Sequence, residues 1–228
     1  MLAVPHAPLA LVPMITIDEH GARIMTGAAI PVTKTPATAA LVLAGGRSAR
    51  LGGVEKATVE IDGIELIDHV YAAIRGCTPI IAVGPEGIAR PGIRVVRESP
   101  PFGGPAAAFA AGLLALADTD AVETWLLACD LPRAPELVAL LAAVPIPDGA
   151  DAVVAVDAEG RVQWLAGRYR LSALRAVVAQ HPETSGMSMR KLFEGLRMHP
   201  VEDCGAAVDL DTWSAIEDYR STRKDDHA

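Results

Sequence analysis

Between Ala39 and Cys129, short apolar runs alternate with longer stretches of helical period, and this alternation narrows the choice of fold more than any other feature of the chain. AALVLA from Ala39, PIIAV from Pro79, GIRVV from Gly92 and TWLLAC from Thr124 read as strands. Ile64 to Arg75 and Pro105 to Ala117 read as helices. Strands separated by helices imply right-handed crossovers and a mostly parallel sheet with helices on both faces, a Rossmann-like α/β fold. After Asp151 the pattern changes: two strand-like runs meet at Ala158-Glu159-Gly160, which signals a hairpin and makes the sheet mixed. A last helix is expected from Thr212 to about Arg220.

Residues 1–37 are rich in proline, alanine and threonine without period and read as a loose extension, leaving a domain over 38–222 and a short tail over 223–228. With 51% hydrophobic residues, the chain can bury a substantial core. A net charge of -8 argues against a sequence-independent grip on nucleic acid, so an anionic ligand must be held by local cations. AAAFAAGLLALA from Ala106 is too short to cross a bilayer and reads as a buried helix. The apolar N-terminus carries no basic residue before Arg23, so the charged start of a secretory signal is missing and the cytoplasm is the expected location. Cys77, Cys129 and Cys204 are odd in number and widely spaced, which fits reduced thiols.

Parallel sheets of this kind bind ligands beyond the carboxyl ends of their strands. The segment LVLAGGRSARLGGVEK, Leu41 to Lys56, leaves the first strand at such an end. Gly45 and Gly46 let backbone N–H groups approach a ligand, and Arg47, Arg50 and Lys56 can neutralise phosphate oxygens. A P-loop would need Ser or Thr after the lysine, where Ala57 stands, and the dinucleotide fingerprint G-x-G-x-x-G is absent.

LAGGRSARLGGVEK resembles the signature L-A-G-G-x-S-x-R-M-G-x-x-K of the molybdenum cofactor guanylyltransferases. The resemblance runs in order from Ala39 to about Tyr219, through ESPPFGGPAAAFAAGL, LACDLPRAP, QWLAGRYR and AVDLDTWSAIEDY. It implies that the backbone of Leu43, Ala44, Gly45 and Gly46 meets the nucleotide, that Lys56 and Arg50 meet its phosphates, and that Asp130 holds Mg²⁺. An aspartate ending a buried strand at the ligand edge is also well placed as a hard oxygen ligand; the competing role is a cap for the helix at Pro135. Asp211, with Asp209 two residues before it, either completes the Mg²⁺ shell or caps the helix from Thr212. Trp164 and Tyr169 either stack on a flat acceptor or pack in the core. Arg190 and Lys191, after Ser185-Gly186, either bind the acceptor's phosphate or form a solvated helix face.

Four positions depart from the family pattern: Leu51 replaces methionine, Glu55 replaces aspartate before the lysine, Ser99 follows Glu98 where Glu-Asp is common, and Gly84 stands where some members carry a base-contacting asparagine. The resemblance implies nucleotide binding at Glu98 and Ser99, where either Glu98 takes over from the missing aspartate or nucleotide binding is weakened. The resemblance implies Mg²⁺-dependent transfer of GMP from GTP to the phosphate of molybdopterin, with pyrophosphate leaving and a molybdoenzyme or its chaperone receiving the product. The alternatives are a cytidylyltransferase or sugar-phosphate nucleotidyltransferase on the same fold, or a non-catalytic paralogue that binds nucleotide or cofactor.

Overall fold

The computed structural model describes residues 9–17, 23–31, 37–45, 55–203, 205–207, 210, 213–214 and 216–219. The chain divides after Pro36 into two compact units. In the first, β1 (Leu9–Ile17) pairs antiparallel with β2 (Arg23–Pro31), in register from Leu9 opposite Pro31 to Ile17 opposite Arg23. Both runs carry β-branched residues, such as Val12, Ile15 and Thr16 opposite Ala28, Met25 and Ile24, and that strand preference outweighs the scattered prolines.

The second unit is built on β3 (Thr38–Leu43), followed by the small hairpin β4 (Glu60–Ile61) and β5 (Ile64–Glu65), then α1 (Leu66–Ala73), β6 (Ile80–Val83) and β7 (Ile93–Val96). There follow α2 (Pro105–Ala115), β8 (Glu123–Ala128), α3 (Ala134–Ala142), β9 (Ala152–Val156) and β10 (Val162–Arg170). The described elements end with α4 (Leu171–Gln180), α5 (Met189–Leu192) and β11 (Met198–Glu202). Seven strands form one sheet in the order β11-β9-β10-β8-β3-β6-β7. Only β10 runs against its neighbours, so the sheet is mostly parallel and mixed, as the sequence implies.

Alternation along β3 divides the core between the two faces of the sheet. Ala40 and Val42 join Ile67 and Val70 of α1 and Leu137 and Leu141 of α3, while Leu41 and Leu43 join Phe109 and Leu113 of α2, Leu174 of α4 and Phe193. Gly112 lets α2 settle on the strands: a Cβ there would lie 2.2 Å from Leu41 Cδ1 and 2.8 Å from Val83 Cγ2. Helix α2 is one-sided despite its apolar sequence, since Leu114 faces solvent.

The expected helix over Ile64–Arg75 begins later because Asp62 and Gly63, with φ of 54° and 78°, fold Ile64 and Glu65 back on Glu60 and Ile61. The Asp-Gly pair is a hairpin signal in its own right. Neither α4 nor β11 was legible in advance; β11 contains Pro200, which is tolerated because the strand lies at the sheet edge. Residues 213–214 and 216–219 are helical, while both ends of the expected closing helix lie outside the described residues.

Candidate active site

Six of the seven strands end at one edge, and the β9–β10 turn joins them because β10 is antiparallel. At this edge β3, β6 and β8 are tied together: Ala44 N–H donates to Val83 O at 2.8 Å, and Cys129 N–H donates to Leu43 O at 3.1 Å. The Ala44 N–H and the Leu43 carbonyl therefore serve the sheet. Gly84 closes this part of the edge: a Cβ there would lie 3.0 Å from both Ala44 O and Ile88 Cδ1. The wall that a nucleobase would meet at position 84 is therefore backbone. Gly46, Arg47, Arg50 and Leu51 lie outside the described residues, as do Asp209 and Asp211.

Lys56 opens a single 3₁₀ turn, Lys56–Thr58, anchored by buried Ala57 and closed by Thr58, whose N–H and hydroxyl both donate to Glu55 O. From this support its ammonium donates to Asp130 Oδ2 at 2.7 Å. Asp130 follows β8 and is only 5% exposed. A buried carboxylate needs a countercharge, and Lys56 provides it. The capping role for Asp130 is excluded: the N-cap of α3 is Arg133, and no side chain caps that helix.

Across β6, the β7 strand leads into the loop 97–104. Glu98 Oε1 accepts the Phe102 N–H at 3.0 Å, so one oxygen of this expected nucleotide ligand holds its own loop. Ser99 is exposed. Gly186 N–H donates to Gly103 O at 2.8 Å, joining this loop to the segment before α5.

On the other side of Asp130 lies a cleft of about 1330 Å³, walled by the turn from Val156 to Trp164 together with Arg190, Glu202, Asp203, Gly205 and Ala207. Trp164 and Arg190 thus come together, whereas Lys191 does not line the cleft; its N–H donates to the capping hydroxyl of Ser188. Tyr169 is a core residue, fully buried, with its hydroxyl donating to Trp164 O at 2.7 Å and its ring 5.4 Å from that of Phe193. Burial pushes its phenol well above the ordinary range. Trp164 packs edge-on to Phe193 at 6.2 Å and also lines the cleft.

Two contributors escaped the sequence reading. Asp203 is buried, and its carboxylate accepts N–H groups from Gly205 at 2.8 Å and Ala207 at 3.1 Å, shaping the cleft floor. Arg133 Nη1 donates to Gly205 O at 3.1 Å and so ties that floor to the Asp130 loop. An aspartate shortly before a glycine, as in Glu202-Asp203-Cys204-Gly205, is the local turn signal that marks Asp203. Among the described residues no group of three metal-binding side chains is assembled. Asp130 alone suits a cation that takes one or two carboxylates and completes its shell with water and phosphate oxygens, the usual habit of Mg²⁺.

A parallel-sheet edge with a Leu-Ala-Gly-Gly strand exit, a paired lysine and buried aspartate, and an adjoining cleft defines the nucleotidyltransferase class of α/β proteins. Residues 40–201 match the MobA-like NTP transferase domain, and the chain belongs to that family. It is 33% identical over 155 residues to the molybdenum cofactor guanylyltransferase of Acidiphilium cryptum, covering 61% of this chain and 79% of the relative. The crystal structure of molybdopterin-guanine dinucleotide biosynthesis protein A from Archaeoglobus fulgidus superposes with a TM-score of 0.60 at 18% identity, over 82% of this chain and 99% of the other. The 2-C-methyl-D-erythritol 4-phosphate cytidylyltransferase of Thermus thermophilus superposes with a TM-score of 0.59 at 17% identity, over 82% and 99%. The fold is common to both; these two likenesses carry no information on substrate.

Proposed function

We propose that the protein transfers GMP from GTP to the terminal phosphate of molybdopterin. The observation that carries this reading is the Lys56–Asp130 pair at the exit of the Leu-Ala-Gly-Gly strand, supported by the similarity to the guanylyltransferase of Acidiphilium cryptum. In the reaction an acceptor phosphate oxygen attacks the α-phosphorus of the triphosphate, a new P–O bond forms, and the bond to pyrophosphate breaks. Two anions must meet, so catalysis is mainly positioning and charge neutralisation.

Lys56 meets the triphosphate and offsets the charge that develops on pyrophosphate, with Arg50 as its partner. The backbone beyond Leu43 and Ala44, through Gly45 and Gly46, lies along the nucleotide. Asp130 is the residue that would hold Mg²⁺, with Asp211 as a further ligand, and the ion would neutralise and orient phosphate oxygens. Trp164 and Arg190 offer the acceptor a ring and a cation on the cleft side, and Lys191 adds positive charge to the same short helix.

Among the described residues no helix is long and apolar enough to cross a membrane. A cytoplasmic location, with the product passing to a molybdoenzyme or its chaperone, suits this reaction. The test is pyrophosphate release by the purified protein with Mg²⁺ and molybdopterin, with GTP, CTP, ATP and UTP compared in parallel. Release with GTP, dependent on molybdopterin, is expected. Release with CTP in its place would overturn the base assignment, and silence with all four from folded protein would overturn nucleotidyl transfer to this acceptor.

A further inference from the structure

Phe102 is a bulky residue in a backbone conformation that such residues avoid. Its φ is 64°, and the residue is 58% exposed. A left-handed backbone at a residue of this kind costs free energy, and such strain persists where the surroundings or the function require it. The surroundings are visible. Glu98 Oε1 holds the Phe102 N–H at 3.0 Å, and the next residue, Gly103, is so close to α2 that a Cβ there would lie 2.8 Å from Ala107 Cβ. This support fixes the backbone but leaves the ring outside the core.

The loop that carries the ring starts at the ligand edge. Val83 and Val96 are paired at the ends of β6 and β7, Gly84 N–H donates to Val96 O at 3.0 Å, and Ala44 N–H donates to Val83 O. The loop therefore starts two strands from Ala44, about 10 Å away at the spacing of a sheet. It returns over the edge to α2, which packs on β3 and β6. The Arg97 guanidinium lies 5.9 Å from the centre of the Phe102 ring, so a cation is held beside the aromatic face.

We infer that Phe102 is a positioning residue whose ring stacks on the planar base of the donor nucleotide, with Arg97 adding positive charge beside it. Stacking accepts any base, so it complements the backbone wall at Gly84 by adding affinity without selecting the base. This inference rests on the nucleotidyl-transfer reading and adds to it a contact to the base.

The test is calorimetric binding of GTP and of inorganic tripolyphosphate to the full chain and to two variants, with thermal unfolding alongside. Phe102→Asn keeps a residue type that tolerates positive φ and removes the ring. It is expected to weaken GTP binding roughly 5- to 50-fold, to leave tripolyphosphate binding unchanged, and to unfold no earlier than the parent protein. Phe102→Trp should retain GTP affinity and show quenching of the new indole on nucleotide addition. Equal GTP affinity in the parent and Phe102→Asn would overturn the inference. So would an unchanged GTP affinity combined with a raised KM for molybdopterin, which would place the ring on the acceptor. A parent protein that binds no nucleoside triphosphate would instead overturn the reading on which the inference stands.

Discussion

Lys56 Nζ and Asp130 Oδ2 stand 2.7 Å apart although 74 residues separate them in the chain. Asp130 follows β8, which pairs parallel with β3 up to Leu43 opposite Ala128, and Lys56 reaches it from the 3₁₀ turn Lys56–Thr58. Each charge compensates the other, Asp130 buried and Lys56 partly exposed. Asp130→Asn should lower Mg²⁺-dependent turnover by about 10²- to 10³-fold with the fold intact by circular dichroism. Lys56→Ala should raise the KM for the triphosphate and lower kcat; if steady-state kinetics show neither change, the phosphate site lies elsewhere.

The Tyr169 hydroxyl supports Trp164 from behind, through its 2.7 Å bond to the Trp164 carbonyl. Removing it in Tyr169→Phe leaves a carbonyl short of a partner and should cost about 1 kcal/mol in urea unfolding. Because Trp164 lines the cleft, the same variant should raise the KM for molybdopterin while the KM for GTP stays constant. Equal changes in both would dissociate the cleft from the acceptor.

Gly112 is a packing requirement. A side chain there meets Leu41 and Val83, both fully buried, which cannot move aside without disturbing the sheet. Gly112→Val should destabilise the protein by about 2–3 kcal/mol in denaturant titration, more than any gain from helix propensity.

Stability should respond to acid through Asp151, whose carboxylate accepts bonds from the backbone N–H and guanidinium of Arg197. These bonds hold its pKa below the ordinary value, with the guanidinium bond the largest cause and partial burial opposing it. The stabilisation is fully present above the unfolded-state value of about 3.9 and is lost as pH falls through the depressed folded value. Arg197→Ala should therefore lower the urea midpoint at pH 7, and the difference from the parent protein should close at the acid end of a pH series. A constant difference across the series would exclude this linkage.

Much of the sheet was legible because its signals are local. Buried strands such as β8 and β9 read as continuous apolar runs, and Asp-Ala-Glu-Gly marks the turn into β10. The strand missed, β11, contains a proline and exposes several residues, and its identity depends on its edge position against β9. Of the short pair β4 and β5, the second strand was hidden inside a helical pattern, although the Asp-Gly turn before it was in view.

The candidate site divides in the same way. Residue types and their order, with the resemblance they carry to the guanylyltransferase signature, pointed to Lys56 as a phosphate cation and Asp130 as a metal ligand, because a glycine-rich strand exit and an acidic strand end are local patterns. Tertiary structure decided that these two meet, that Tyr169 belongs to the core while Trp164 reaches the cleft, that Glu98 turns one oxygen to its own loop, and that Phe102 takes a positive φ outside the core. The physical reason is range. Periodicity and turn chemistry act over a few residues and are written in the sequence directly, whereas burial and charge pairing depend on which distant segments the sheet order makes neighbours.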